Sequence, residues 1–319
     1  VRFDKRSGQL HGWSVGGREL LSEPLAHAFW RPPNDNDIGA QLPDGPMAKW
    51  LALERDGVEL HRSDMTAPTL HMHRWCAQVA PTAEGVDSPP VVDTCYTVDS
   101  TSGDMIVEQT MHRGASTLTR PPRFGVRFAL SAGMTQMAWL GRGPHESYWD
   151  RKRGARMGLY HASVLEQTAD YVRPQENGNH DDVSYSYVSP PAGEAGVGVL
   201  VVSEDEVALL GVAAHHFEDD DFGARSFHEQ RHTSDLRPRN RTWMHVDSHQ
   251  MGVGGIDSWG SHETPMAKYT IPYSDGALRV RFGMAALVHG AGGIGADEPR
   301  SRARRLRAAM KRQVSSASD

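Results

Sequence analysis

The residues best suited to chemistry lie in Asp247-Ser-His-Gln-Met-Gly-Val-Gly-Gly-Ile-Asp-Ser-Trp259, where a strand-like run breaks into glycines and then presents an acid, a hydroxyl and an indole. Gly252, Gly254 and Gly255 let a backbone turn tightly or accept a close ligand. The indole of Trp259 offers an apolar face of the kind on which a pyranose ring stacks. Local chemistry also fits a plainer reading, a tight connection between two strands with Trp259 plugging the end of the core.

Other reactive side chains are weaker candidates. Glu146 and Glu176 sit in glycine-containing loops and could be drawn towards a sugar, but a lone loop carboxylate is more often a turn or ion-pair partner. His71 and His73 share one face of a strand, and His215-His216 is followed by Glu218-Asp-Asp-Asp221; two ligands do not make a metal site, and none is expected. Gly12-Trp-Ser-Val-Gly16 matches G-x-S-x-G in letters, but it falls among short N-terminal strands and not at a strand-to-helix elbow, so a Ser-His-Asp reading is not adopted. Gly290-Ala-Gly-Gly-Ile-Gly295 matches G-x-G-x-x-G, yet only 24 of the 319 residues follow Gly295, too few for the second strand and ribose-binding acid of a dinucleotide site. These glycines read as a linker.

The elements that must hold such residues are strands. Arg123–Leu130 places Phe124, Val126, Phe128 and Leu130 on one face. Tyr269, Ile271 and Tyr273 alternate, Asp275-Gly276 turns, and Leu278, Val280 and Phe282 alternate back, which predicts a hairpin. Gly196–Ser203 and Val207–Ala214 are apolar on both faces and read as a further, more deeply buried pair. Phe3 and Leu10 flank another turn at Arg6-Ser-Gly8, and Gly16-Gly17 marks the next. Many short strands, no fixed repeat and almost no long helical pattern predict an all-β fold, a large antiparallel β-sandwich.

Composition narrows the setting. A net charge of −6 argues against a dedicated nucleic-acid binder, and no apolar run approaches the length of a membrane span. The first residues carry no apolar stretch or cleavage site, so a secretory signal is not expected, a cytoplasmic location is, and the sequon Asn240-Arg-Thr242 is expected to be unused. Val1 is not an initiator methionine, which points to a segment upstream. Cys76 and Cys95 are the only cysteines; they are expected as buried thiols in strands, with one isolated disulfide as the alternative. Residues 1–288 read as one domain. Residues 289–319 read as a glycine-rich linker and a basic helical tail, a solvated appendage whose Leu306 and Met310 make a thin apolar stripe.

Three further segments concentrate polar residues where strands should end: Phe29-Trp-Arg-Pro-Pro-Asn-Asp-Asn-Asp-Ile-Gly39, Leu140-Gly-Arg-Gly-Pro-His-Glu-Ser-Tyr-Trp-Asp-Arg151 and Tyr171-Val-Arg-Pro-Gln-Glu-Asn-Gly178. Together with Met251–Trp259 they closely resemble, in content, order and spacing, the C-terminal domain of the large bacterial-type β-galactosidases of glycoside hydrolase family 2. The same unit occurs there as the small subunit of two-chain forms. The resemblance covers about residues 1–288. It implies a β-sandwich of the galactose-mutarotase-like type that closes one side of an active site built mainly by a (β/α)₈ barrel. Trp259 then matches the tryptophan that stacks on the galactoside, with Asp257 beside it. Asn36, Asp37 and Gly39 lead into the mobile active-site loop, Gly39 at its hinge. Two departures are visible: the loop reads Ala40-Gln-Leu-Pro-Asp-Gly-Pro46, with two prolines and an extra glycine, and Asp257 follows Ile256 where the family often has two adjacent acids.

Retaining hydrolysis needs two carboxyl groups about 5 to 5.5 Å apart. In the family both come from the barrel, as do the ligands of magnesium, and this sequence has no strand-helix alternation from which a barrel could be built. The expectation is therefore a β-galactosidase C-terminal domain or small subunit with no catalytic residue of its own. It would bind galactoside only together with a large subunit or barrel domain, in an oligomer, with magnesium, and sodium as a second ion, held by that partner. A stand-alone carbohydrate-binding protein and an aldose-epimerase-like protein are the alternatives; the latter needs a His and a Glu within hydrogen-bond reach of one pocket.

Overall fold

The computed structural model describes residues 1–223, 232–257, 265–273, 276–290 and 297–316. Among these, strands form two large antiparallel sheets. The seven-stranded sheet runs, in spatial order, Arg2–Phe3, Leu10–Gly12, Leu21–Ala28, Arg123–Leu130, Thr242–Gln250, Leu210–His215 and His180–Val183. The nine-stranded sheet runs Arg156–Ser163, Gln136–Gly143, Tyr185–Ser189, Gly196–Ser203, Leu278–His289, Met105–His112, Val91–Asp99, Met72–Pro81 and Val58–Thr66. The all-β sandwich expected from the alternating pattern is the observed fold.

Period-two patterning explains how the two sheets meet. Phe124, Val126, Phe128 and Leu130 point into a shared core with Met244, Val246 and Val212 of the same sheet and Val107, Val199, Phe282 and Met284 of the other. Burying a side chain of this size contributes about 1.5 to 3 kcal/mol. The alternate positions face away, so Arg127 and Gly125 lie opposite His245 and Asp247 on the outer face of the seven-stranded sheet.

Two strand expectations are corrected. Gly196–Ser203 and Leu210–His215 do not pair: the first lies between Tyr185–Ser189 and Leu278–His289, the second between His180–Val183 and Thr242–Gln250, in different sheets. Both are apolar on both faces because each is interior to its own sheet. The Tyr269–Phe282 hairpin keeps only its second strand. Ala267–Tyr269 is a short 3₁₀ turn, and Ile271 and Tyr273 are buried without ladder bonds, Tyr273 packing edge-on against Trp50 at 5.5 Å. Pro272 removes a backbone donor from the middle of that segment.

Helix Pro46–Arg55 escapes a period-two reading. Pro46 sits in its first turn and Met47, Trp50 and Leu53 form its buried face. The C-terminal helix, Glu298–Ser316, is seated rather than solvated. Ala303, Leu306 and Met310 pack on Ile106, Leu200, Val202, Ala285 and Leu287, on the outer face of the nine-stranded sheet. Gly283 makes room, since a Cβ there would lie 2.6 Å from Leu306. Arg307 fastens the helix by donating to the Ser184 and Ser203 carbonyls at 3.0 and 3.3 Å. A thin stripe suffices because the sheet beneath it is itself apolar.

The expectation of two free thiols is also corrected. Cys76 and Cys95 stand directly opposite each other on adjacent antiparallel strands, Cα to Cα 4.1 Å, and are joined in a disulfide.

Candidate functional site

The segment after Leu21–Ala28 leaves the sheet and forms the short helix Asp35–Gly39. Asn34 caps it: its side chain accepts from the Asp37 amide at 2.9 Å, and Asp37 accepts in return from the Asn34 amide at 3.1 Å. The same Asp37 carboxylate is held by Arg31 at 3.2 and 2.9 Å, both side chains fully buried. Arg31 has donors left over, and they reach the Met251 and Gly252 carbonyls at 2.5 and 2.9 Å. Asn36 adds a bond to the Val253 carbonyl at 2.8 Å.

These contacts fix the glycine run from one side. Asp150 fixes it from the other, accepting from the Val253 and Gly254 amides at 3.0 and 2.7 Å. Glycine is required at this crossing: a Cβ on Gly252 would lie 2.5 Å from the Asp150 carboxylate, and one on Gly255 2.8 Å from the Asn36 carbonyl oxygen. Gln175 completes the junction by accepting from the Asp35 amide at 3.2 Å and donating to its carboxylate at 3.1 Å. All four polar segments singled out in the sequence therefore meet at one edge, which leads to Asp257. Trp259, two residues on, lies outside the described residues.

Asn36, Asp37 and Gly39 are all within this junction. Gly39 closes the helix, and the left-handed backbone falls on Gln41, at φ 58°, rather than on the glycine. Backbone bonds from Leu42 to the Asp37 carbonyl and from Met47 to the Leu42 carbonyl, 3.0 and 2.9 Å, tie the segment to the next helix.

Beneath the junction lies a buried charge cluster. Arg123 contacts both Glu176 oxygens at 3.1 Å, Asp247 at 3.1 Å and His245 Nδ1 at 2.9 Å. Arg123 can only donate, so Nδ1 of His245 accepts and its Nε2–H points at Asp219, 3.0 Å away. Burial pushes Asp247 up to about 6 against the pull of Arg123. Burial acts the same way on Asp219, but His245 and Arg123 outweigh it and hold that carboxyl well below the usual range. Burial likewise drives His215 down to about 4.

The lone glutamates are structural. Glu176 is spent on Arg123 and, at 3.4 Å, on the Tyr148 hydroxyl. Glu146 is held by Arg151, the Tyr171 hydroxyl and, at 2.8 Å, the Gly178 amide. His215 bonds the Asn177 carbonyl and His216 the Arg241 carbonyl, so the two imidazoles do not converge. Glu218 precedes the short helix Asp219–Phe222. His71 and His73 are exposed, and no group of three or more His, Cys, Asp or Glu among the described residues could hold a metal ion.

Arg31, Asp150 and Gln175 stand inside the polar motifs, yet sequence reasoning assigns them no role. The available signal is their position: charged or amide side chains beside prolines, asparagines and glycines, where strand ends need polar partners. Arg123 carries no signal beyond its place in an alternating strand.

The family profile described as beta galactosidase small chain matches residues 1–284, so this chain belongs to the β-galactosidase small-chain family. It is 32% identical over 270 residues to a beta-galactosidase of Priestia megaterium, covering 84% of this chain and 24% of that one. It is 29% identical over 286 residues to a beta-galactosidase of Vibrio cholerae, covering 88% and 26%. The chain therefore spans about a quarter of the length of these relatives. A putative aldose 1-epimerase from Escherichia coli K12 superposes with a TM-score of 0.37 at 10% identity, over 89% of this chain and 82% of that one. No helix of the described residues is long and apolar enough to cross a membrane.

Proposed function

We propose that the chain is the part of a β-galactosidase that completes the galactoside pocket of a catalytic (β/α)₈ barrel carried elsewhere. The observation that carries this reading is the junction itself. Arg31, Asn36 and Asp150 clamp the glycine run 252–255 from two sides, immediately before Asp257 and Trp259. A loop so constrained aims the side chains beyond it in a defined direction at little further entropic cost.

In this role the chain supplies no acid, base or nucleophile. The two carboxyl groups of retaining hydrolysis, and the magnesium and sodium of the complete enzyme, belong to the barrel partner. Trp259 stacks on the apolar face of the galactosyl ring, Asp257 lies at the rim, and the segment from Asn36 through Gly39 borders the entrance. The substrate is a terminal β-D-galactoside of the lactose type, and the working particle is an oligomer in the cytoplasm.

The test tracks this chain through native size-exclusion of a source lysate while every fraction is assayed with a chromogenic β-galactoside. Co-elution with activity well above 35.1 kDa is expected; elution alone and without activity overturns the reading. In the assembled enzyme Trp259→Ala should weaken substrate binding by on the order of 1 kcal/mol, and an unchanged KM removes Trp259 from the pocket.

A further inference from the structure

A cleft of about 490 Å³ opens at the end of strand Thr242–Gln250, with Trp149, Lys152, Asp181, Asp182, His249 and Gln250 among its walls. Its size falls in the range of sites that hold small ligands. Most of its polar groups are satisfied. Lys152 and Arg142 hold Asp182 at 2.8 and 2.5 Å. Across the cleft Arg281 holds Glu204 at 2.7 Å, and Asp205 accepts from the Val207 and Ala208 amides at 2.7 and 2.6 Å.

Two side chains on the wall are different. Gln250 is 6% exposed, and neither its amide nitrogen nor its oxygen has a hydrogen-bond partner. Asp181 binds Asn179 through one oxygen at 3.1 Å, while its other oxygen is buried without a partner. A buried polar atom left unpaired costs about 1 to 3 kcal/mol, and groups in this state are found where something else completes them. The missing partner must both donate and accept, because the amide offers both donors and an acceptor, and the Asp181 carboxyl lines the same cleft. Hydroxyl groups do both.

Charge selects further. Lys152, Arg279 and Arg281 are balanced on the cleft wall by Asp182, Glu204 and Asp205, and burial pushes Asp181 up to about 7, so that it carries only about half a negative charge at neutral pH. Neither a phosphate nor an ammonium ligand finds a full counter-charge. Trp149, tilted at 57° against His249 with ring centroids 5.4 Å apart and only partly buried, supplies an apolar wall.

We propose that this cleft binds a neutral monosaccharide, its vicinal hydroxyls on Gln250 and Asp181 and its ring against Trp149. The cleft is formed wholly by this chain and does not require the barrel partner.

The test is calorimetric titration of the full chain with D-galactose, D-glucose and glycerol, each to about 100 mM, the range that captures millimolar affinity. Saturable binding of at least one pyranose, weaker for glycerol, is expected. Trp149→Ala, at a partly exposed position, and Asp181→Asn, which keeps the shape of the side chain, should each reduce affinity about tenfold or more while the thermal melt stays cooperative. Gln250→Leu should abolish it. Absence of saturable binding in the wild-type chain overturns the proposal, and so does binding that all three variants retain.

Discussion

Asn36 and Val253, 217 positions apart in the chain, are joined by one hydrogen bond of 2.8 Å from the Asn36 amide to the Val253 carbonyl. Through it the helix Asp35–Gly39 and the glycine run are tied into one piece. Replacing Asn36 by Ala removes that bond at a solvent-exposed position, so the melting temperature should barely move. In the assembled enzyme KM should rise about threefold to tenfold, the equivalent of one hydrogen bond of about 1 kcal/mol. Steady-state kinetics with a chromogenic galactoside measures this, and an unaltered KM would show that the two segments are positioned independently.

Arg123 is expected to dominate stability. It neutralises Glu176 and Asp247, both buried, and Arg123→Met would leave two carboxylates without their cation. Breaking a buried pair in this way costs about 3 to 5 kcal/mol. Urea denaturation should show a large drop in midpoint, whereas Arg241→Met, whose partner Glu23 is exposed, should change it by less than about 1 kcal/mol.

Stability should depend on pH with two opposite contributions. His180 and His215 are each pushed down to about 4 by burial. Below an ordinary histidine pKa of about 6.5 the unfolded chain takes up protons that the folded chain refuses, so stability falls as pH drops from there towards 4. Asp181, pushed up to about 7 by burial, runs the other way: between the ordinary aspartate range and 7 the folded chain holds a proton that the unfolded chain releases, and that contribution is lost as pH rises through 7. Asp181→Asn should therefore stabilise the chain relative to wild type more at about pH 8 than at about pH 5, read from urea midpoints. Equal effects at both pH values would place the Asp181 carboxyl in its ordinary range.

The C-terminal helix should be part of the cooperative fold. Leu306 is 1% exposed, and Leu306→Ala should cost about 2 to 5 kcal/mol. A chain ending at Gly290 should bind a hydrophobic dye strongly, because Tyr187, Leu200 and Leu287 lose their cover. A truncated chain that melts like the full one and binds no dye would return the helix to the status of an appendage.

The Cys76–Cys95 bridge closes a loop of 19 positions. Chain-entropy arguments give about 3 kcal/mol for a loop of this size. Reduction, or the double variant Cys76→Ser with Cys95→Ser, should lower the urea midpoint accordingly without altering the far-UV spectrum. Mass measurement of the thiol-blocked protein reports whether the bridge is present in the isolated chain.

The all-β class was legible in the order of residues alone, because alternation such as Phe124, Val126, Phe128 and Leu130 permits only strands with one buried face. So were the four polar segments, since prolines, glycines and asparagines cluster where strands must stop. Sheet membership was not. Gly196–Ser203 and Leu210–His215 look alike because burial on both faces is a property of any interior strand, whichever sheet it joins. Nor does the order of residues say that Arg31, Asn36 and Asp150 all close on Met251 to Gly254, or that Arg123 pairs with Glu176, 53 positions on. Those partners are remote along the chain, and polar atoms carry no record of which distant backbone group will satisfy them. Only the tertiary pairing of strands, which sets Leu21–Ala28 and Thr242–Gln250 on either side of Arg123–Leu130, brings those segments within about 3 Å, the reach of a hydrogen bond, and so decides which bonds are made.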